Sequence, residues 1–310
     1  MGSQTGIPLS LHGAGHRLPI AIVLVSVVLL PGLLSAATGA SSVVAAVRHM
    51  PEQPKSGEKV TIVVQAQAAV KDTTLVLQYQ VVDPGKYIAR ADSAYAQQWT
   101  SVPLRPESTS GGSPAGTSLR AELPAELQKH RRLVRYRLAS PQNNSVVAPA
   151  SEDSEPNFAY FVYDGIPDWR GAINPKSNDP KLNKVVTFDT NVMASVQAYH
   201  LISKRTSIEN VTWREPTEFM QPERHEYKYT GTLVAHGKVY DHVRFRARGG
   251  QWRHSMGKNM WKIDFNKGHG LAARDDFGRP YKTKWDKLNL GACIQQGSFG
   301  MRGEHGMFEA

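Results

Sequence analysis

Apolar and polar residues alternate in short runs between positions 60 and 163, and turn-forming residues separate the runs. A period of two is typical of β-strands, because successive side chains of an extended chain point to opposite faces. We predict strands at residues 61–66, 74–82, 99–104, 133–138 and 158–163. Several strands, little helix and regular turns predict a β-sandwich of the immunoglobulin or fibronectin type III kind at residues 50–165.

The connections of this first domain have the composition of turns and loops. Asp83-Pro84-Gly85 predicts a tight turn, because proline fixes one φ angle and glycine supplies a positive one. Residues 107–118 are rich in serine, glycine and proline and predict a flexible loop. The domain holds no convincing catalytic constellation, so its expected role is spacing or adhesion. Residues 166–184, with three prolines, are expected to be the interdomain linker.

A second domain is predicted at residues 185–310, and its pattern changes along the chain. Residues 185–198 are ambiguous between helix and strand. Thr206 and Glu209 then have the spacing of a capping box, in which each side chain satisfies a backbone N–H group of the other residue. This predicts a short helix that continues to Trp213.

The hairpin that follows carries a concentration of positive charge. Residues 229–235 and 238–248 predict its two strands, and His236-Gly237 predicts the tight turn between them. Alternation on the return strand sets three apolar residues on one face and three arginines on the other. The arginines are Arg244, Arg246 and Arg248.

A second basic strand is predicted at residues 258–265, after the glycine pair Gly249-Gly250 and a polar loop. Alternation places Lys258 and Lys262 on the same face of it. Residues 238–287 hold thirteen Lys and Arg against five Asp and Glu. Glycine lets backbone N–H groups approach a phosphate and fixed cations offset its charge, so these strands could form a phosphate cradle. A solvated face of a two-sided sheet is the alternative.

Composition narrows the class of protein. The 310 residues are 40% hydrophobic and 21% charged, as in an ordinary globular protein. A formal net charge of +10 suits partners that carry phosphate or carboxylate groups. Cys293 is the single cysteine, which excludes an intrachain disulfide and a zinc-binding cysteine cluster.

The first 40 residues have the three parts of a secretory signal. A basic residue, Arg17, precedes an apolar stretch at residues 18–30, and small residues occupy much of positions 35–40. An uncleaved membrane anchor is the alternative, because the apolar stretch approaches the ~20 residues that span a bilayer. In either case we expect the rest of the chain to be exported to the cell envelope, the periplasm or the extracellular space.

The basic strands resemble a known family. Residues 243–250, the polar loop and residues 257–267 are similar to the CotH (spore coat protein H-like) kinase pattern: a strand ending in Arg-x-Arg-Gly, a serine-containing loop and a lysine-rich strand ending near Phe-x-Lys. Residues 287–290 and 301–308 resemble the family's next strand and helix. The likeness covers about residues 196–310. One departure is Gly250-Gln251, where the family usually has Ser-Ser, and it concerns the hydroxyl contacts of the loop.

The resemblance implies an atypical secreted kinase that transfers phosphate from ATP, with Mg²⁺, to Ser or Thr of envelope or coat proteins. It implies that Arg248, Lys258 and Lys262 contact the nucleotide phosphates and that Glu304, with Glu309 in reserve, pairs with Lys262. The implied fold class is α+β: a β-sandwich followed by a truncated, mainly β kinase N-lobe. Phosphoryl transfer also needs aspartates for the acceptor hydroxyl and for Mg²⁺.

In the family those aspartates lie further along than position 310. We therefore expect the chain to be a fragment with no catalytic residue and no metal ligand of its own, and without kinase activity alone. Asp276-Phe277-Gly278 spells the kinase metal-binding tripeptide, but it lies between two predicted N-lobe strands rather than after a catalytic loop. We predict a surface turn there.

The sequence also bears on two other classes of function. The alternative to a kinase is a non-catalytic envelope or matrix component that binds an anionic polymer. Nucleic-acid binding is not expected, because export argues against it and aromatic residues are not interleaved with the basic strand as a stacking platform requires. The expected partners are a nucleotide, a secreted protein substrate and, if the signal stays uncleaved, a membrane.

Overall fold

Antiparallel strands dominate the described part of the chain, and its helices are short. The computed structural model describes residues 44–66, 75–107, 117–172, 178–195, 197–212, 228–248, 260–275 and 277–291. The mainly β character that the sequence pattern predicts is therefore confirmed. Within these ranges, no helix is long and apolar enough to cross a membrane. The predicted signal segment and Cys293 lie outside the described residues.

Two antiparallel sheets form the first part of the structure. Their strands are β1 (Val44–Met50), β2 (Val60–Ala66), β3 (Val76–Val82), β4 (Thr100–Pro103), β5 (Arg105–Pro106), β6 (Thr117–Leu123), β7 (Leu133–Ala139), β8 (Val146–Ala148) and β9 (Phe158–Phe161). One sheet has the order β1-β2-β6-β5. The other has the order β4-β3-β7-β8, and β9 also pairs with β7. Helix α1 (Ser93–Gln97) lies between β3 and β4 in the chain.

One apolar core lies between these two sheets. Ile62 on β2, Leu77 on β3, and Val134 and Tyr136 on β7 are almost completely buried in the same cluster. Alternation along β7 explains why Arg135, between the last two, points to the opposite face. The two sheets therefore pack face to face as a sandwich, and we name them together the sandwich. The Asp83-Pro84-Gly85 turn is also present, with Gly85 at a φ of 73°.

Part of the predicted linker has regular structure. The elements in and after it are β10 (Trp169–Gly171), α2 (Pro180–Asn183), β11 (Val186–Phe188) and α3 (Thr190–Met193). Strand β10 pairs with β11 in an antiparallel ladder. The Asp189 carboxylate caps α3 by accepting hydrogen bonds from two backbone N–H groups of its first turn. The ambiguous pattern of residues 185–198 thus corresponds to a strand followed by one helical turn.

A five-stranded antiparallel sheet forms the second part of the described structure. Its strands, in chain order and also in spatial order, are β12 (Tyr199–Ile202), β13 (Tyr229–Ala235), β14 (Lys238–Arg248), β15 (Met260–Asp264) and β16 (Lys287–Leu290). The apolar face of this sheet shares a core with Val211 of helix α4 (Arg205–Thr212). The predicted hairpin and the strand after it are confirmed.

Backbone requirements explain two features of the hairpin. His236 and Gly237 have φ angles of 53° and 77°, and two positive φ angles are what a two-residue hairpin turn of type I′ requires. Gly231 lies where strand β12 approaches closely. A Cβ atom at this position would be 2.7 Å from the Ile202 carbonyl oxygen, so a larger residue would push β12 away.

A bulge interrupts the pairing of β13 with β14. Between Tyr240 and Val243, strand β14 places Asp241 and His242 opposite the single residue Thr232. The extra residue keeps both Tyr240 and Val243 in the core of the five-stranded sheet, although strict alternation would put them on opposite faces. It also directs the Asp241 side chain toward the sandwich.

Helix α4 is present, but the predicted capping box is wrong. Arg205 is the first helical residue, and its Nε donates to Oε1 of Glu209 at 2.7 Å. The Glu209 side chain is thus engaged one turn along the helix rather than at Thr206. The carbonyl oxygen of Lys204 accepts the first hydrogen bonds of the helix, so the helix begins two residues earlier than the box implies.

A buried polar cluster joins the sandwich to the five-stranded sheet. Arg135 of β7 donates from Nε and Nη2 to the two carboxylate oxygens of Asp241 on β14, at 2.7 and 3.1 Å. The two side chains are 0% and 1% exposed. Asn157 Nδ2 and Thr232 Oγ1 also donate to Asp241. Burial opposes ionisation of Asp241, but the Arg135 charge and these hydrogen bonds outweigh it and hold its pKa well below the ordinary value.

The rest of the cluster satisfies the arginine and holds a neutral histidine. Arg135 Nη1 donates to Gln80 Oε1 and to the Ile88 carbonyl oxygen, at 3.1 and 2.8 Å. Burial lowers the pKa of His242 to about 4. The ring is therefore neutral at ordinary pH, and its Nε2 lies 2.9 Å from the Asn157 Oδ1. The ion pair is thus buried, and its hydrogen bonds are made within the protein.

We predict that Arg135→Met strongly destabilises the whole described unit. The substitution leaves the Asp241 charge buried without its partner, which costs about 3–5 kcal/mol. Urea unfolding followed by tryptophan fluorescence should show the free energy of unfolding reduced by this amount. The unfolding transition should remain a single step, because the sandwich and the five-stranded sheet lose the same contact.

The matched control is Arg120→Met on β6. Arg120 pairs with Glu122 at 2.7 Å, but its side chain is 41% exposed. An exposed pair contributes at most about 1 kcal/mol, so this variant should unfold nearly as the parent does. Equal losses in the two variants would show that the buried pair does not stabilise the junction.

Candidate anion-binding face

Basic side chains of two neighbouring strands share one face of the five-stranded sheet. Arg246 lies directly opposite Lys262, and Arg244 lies opposite Asp264. Directly paired residues of antiparallel strands point to the same side, so Arg248, two residues further along β14, also lies on that face. We name this surface the cationic face: Arg244, Arg246, Arg248, Lys262, Asp264 and Lys287.

The opposite face anchors these cations. Val243 and Phe245 of β14 and Ile263 of β15 are completely buried in the core of the sheet, and Trp261 is 5% exposed. Arg244 and Lys262 therefore each stand between two residues that packing holds in place. This separation fixes the backbone beneath the cationic face, so the spacing of the charges does not depend on their mutual repulsion.

A depression of about 380 Å³ opens at one end of the cationic face. Its lining combines four basic residues, two acidic residues, a phenylalanine and a glycine: Lys228, Arg244, Lys267, Lys287, Asp264, Asp286, Phe265 and Gly268. Fixed cations around a small hollow are suited to an anion such as a phosphate group.

Asp264 is the acidic side chain at the centre of this surface. It is 5% exposed, and its Oδ2 forms an ion pair with Lys228 Nζ at 2.6 Å. Burial opposes its ionisation, but the hydrogen bond from Lys228 and the charges of Lys228, Lys262 and Arg244 outweigh it, so the pKa of Asp264 is lowered. Its Oδ1 has no hydrogen-bond partner among the described residues.

The rim of the depression is held by the sandwich. The loop between β8 and β9 meets the loop after β15 through three hydrogen bonds. Ser154 Oγ donates to the Lys267 carbonyl oxygen at 2.7 Å, Asp153 Oδ1 lies 2.6 Å from His269 Nε2, and Asn266 Nδ2 donates to Glu155 Oε1 at 3.4 Å. We name this group of contacts the clasp. Because Lys267 and Gly268 line the depression, the clasp fixes part of its wall.

Glu155 is the member of the clasp with a shifted titration. Burial raises the pKa of Glu155 to about 8, and the negative charges of Asp241 and Asp153 act in the same direction, whereas the hydrogen bond from Asn266 opposes the shift. Its side chain is 13% exposed. Glu155 is therefore largely protonated at neutral pH.

The predicted site residues divide into described and undescribed ones. Arg248 is exposed, Lys262 is half-buried, and both lie on the cationic face, as the strand pattern predicts. Lys258 and Glu304, with the reserve Glu309, lie outside the described residues. In the described ranges, no group of His, Cys, Asp and Glu is placed to hold a metal ion.

Sequence reasoning missed the clasp and the part that Lys228 plays. The paired residues of the clasp are 111 to 116 positions apart, and no local pattern indicates such contacts. Lys228 lies one residue before the predicted strand 229–235. The register of the two-residue turn alone would put it opposite Phe245, and only the bulge in β14 brings it beside Arg246. The predicted surface turn is confirmed for its described residues, since Phe277 is 83% exposed and the Gly278 N–H donates to the Asp275 carbonyl oxygen.

Comparison with known proteins adds no assignment. No protein-family model matches the chain, and no curated protein matches it.

We predict that Glu155 makes the free energy of unfolding fall as the pH rises. Its pKa is raised in the folded state to about 8, so its contribution is complete below the unfolded value near 4.5 and is lost as the pH rises through about 8. Glu155→Gln should gain stability over the parent between pH 5 and 8, by about 1.4 kcal/mol per pH unit at most. Urea titrations across this range measure the difference.

Glu152→Gln is the matched control, because Glu152 is exposed in the same loop. The difference between this variant and the parent should not change with pH. A flat difference for Glu155→Gln as well would contradict the buried, protonated state of Glu155.

Proposed function

We propose that the cationic face binds the phosphates of a nucleotide and that the chain is the N-terminal part of an exported CotH-type kinase. The observation that carries the proposal is the placement of Arg246 directly opposite Lys262. Like charges in this arrangement destabilise a sheet, because their side chains lie close together on one face. A bound phosphate would remove the repulsion, which gives the arrangement a reason in function rather than in folding.

The depression supports a nucleotide better than a simple anion. Lys228, Arg244, Lys267 and Lys287 surround it and are suited to phosphate oxygens. The two carboxylates of the lining repel phosphate, but the exposed one, Asp286, could accept a hydrogen bond from a ribose hydroxyl. A ligand with a phosphate end and a hydroxyl end satisfies both parts of the surface.

In this proposal the sandwich, of immunoglobulin or fibronectin type III kind, positions the nucleotide site in addition to any spacing or adhesive role. The support for this is the clasp, which ties Lys267 to the sandwich. The buried pair of Arg135 and Asp241 acts in the same way beside the clasp, because Asn266 donates to the Asp241 carbonyl oxygen. The catalytic aspartates and the Mg²⁺ ligands would belong to a later part of the kinase domain.

We predict that the full chain binds ATP and that Lys262→Ala and Arg246→Ala each weaken the binding at least ~10-fold, because a charge-assisted hydrogen bond contributes about 1.5–3 kcal/mol. Isothermal titration calorimetry at constant ionic strength measures the dissociation constants. Arg120→Ala, an exposed arginine on the sandwich, should bind ATP as the parent does. Equal affinity of all four proteins, or no heat at all, would refute the assignment of the cationic face.

We also predict that the 310-residue chain transfers no phosphate by itself. Incubation with labelled ATP, Mg²⁺ and casein should label neither casein nor the chain, because the groups that orient the acceptor hydroxyl are not among the residues assigned here. Labelling above the level of a heat-denatured sample would show that the chain contains a complete active site.

A further inference from the structure

The segment at residues 274–287 exposes three large aromatic rings. Phe277, Tyr281 and Trp285 are 83%, 49% and 37% exposed, and every residue from 277 to 287 is exposed. We name the described residues 274–275 and 277–287 the aromatic arm. Large apolar side chains grouped on the surface of a soluble protein mark a site of interaction.

Hydrogen bonds hold the arm in a defined shape. The Asp275 carboxylate accepts from the backbone N–H groups of Phe277 and Arg279, at 3.0 and 2.9 Å, and from Arg279 Nε at 2.8 Å. At the base, Leu271 and Trp285 exchange two backbone hydrogen bonds of 2.9 and 3.0 Å. The rings are therefore presented on an ordered hairpin, which lowers the entropic cost of binding a partner.

Cations accompany the rings along the arm. The Arg279 guanidinium lies 5.0 Å from the centre of the Phe277 ring. Lys282 follows Tyr281 and Lys284 precedes Trp285, and both lysines are exposed. Each aromatic residue thus has a basic residue within two positions. The Tyr281 and Trp285 rings contact each other at 5.2 Å between centroids, which leaves their outer faces for a ligand.

The arm is continuous with the cationic face. Its last two residues, Asp286 and Lys287, line the depression together with Arg244 and Lys267. A ligand that follows the arm therefore reaches a second group of cations. This continuity favours a polymer that repeats a planar ring and a negative charge over a single small ligand.

We propose that the aromatic arm and the cationic face together bind single-stranded nucleic acid. Bases would stack on Phe277 and on the Tyr281–Trp285 pair, and phosphates would lie against the neighbouring cations. The predicted export, one of the two sequence arguments against nucleic acid, means that the ligand would lie outside the cell. The other argument concerned strand β14, where aromatic and basic residues are not interleaved. The arm meets that criterion on a neighbouring segment. An acidic polypeptide would satisfy the cations but leave the rings without planar partners.

The test uses the full chain and a fluorescein-labelled oligothymidylate of twelve residues. Fluorescence anisotropy should show binding, and an abasic oligonucleotide with the same number of phosphates should bind at least ~5-fold more weakly, because it lacks the bases that stack. Phe277→Ala and Trp285→Ala should each weaken oligothymidylate binding roughly 5- to 150-fold, and Trp285→Phe should retain most of it.

Controls separate this proposal from the nucleotide proposal. Tyr199→Ala removes a 38% exposed ring on strand β12 and should leave oligothymidylate binding unchanged. Phe277→Ala should still bind ATP as the parent does. Equal binding of the abasic and thymidine oligonucleotides, equal binding of a labelled twelve-residue polyglutamate, or no effect of either alanine substitution in the arm would each overturn the proposal. Loss of ATP binding in the Lys262→Ala variant would not by itself contradict the nucleic-acid proposal.

Discussion

The ion pair between Arg135 and Asp241 is the contact on which the arrangement of the described chain depends. Its partners are 106 positions apart and belong to different sheets, and both are almost fully buried. A buried charge without its partner costs several kcal/mol. Neither sheet can therefore bury its half of the ion pair without the other sheet. The sequence pattern predicts two domains joined by a linker. The ion pair instead couples the sandwich and the five-stranded sheet into one cooperative unit at this junction.

The same junction determines the shape of the candidate site. The bulge that turns Asp241 toward the sandwich lies on β14, three residues before the first arginine of the cationic face. Asn266 Nδ2 donates to the Asp241 carbonyl oxygen at 2.8 Å and also contacts Glu155, so one amide connects the buried cluster to the clasp. A change at the junction should consequently reach the wall of the depression through adjacent contacts, without any large movement of the sheet.

The sequence allows prediction of those features that depend on local chemistry. The hairpin, its two-residue turn and the shared face of Arg248 and Lys262 follow from alternation and from the need for positive φ angles. The bulge could not be predicted, because it adds one residue without any change in composition. Contacts such as Asp153 with His269 depend on how distant loops meet. The capping box failed because an i,i+4 partner for Glu209, Arg205, was available at the helix start.

On β14 and β15, the residues that stabilise the sheet lie on one face, and the charged residues proposed to bind an anion lie on the other. Residues such as Phe245 and Ile263 bury one face of both strands, so the sheet would form with many kinds of side chain on the other face. Arg246 and Lys262 oppose each other on that face and weaken the pairing. Asp264, the acidic residue on this face, is paired with Lys228, so it offsets little of this repulsion. A surface that costs stability in the free protein and gains it when an anion binds is best explained by a role in binding.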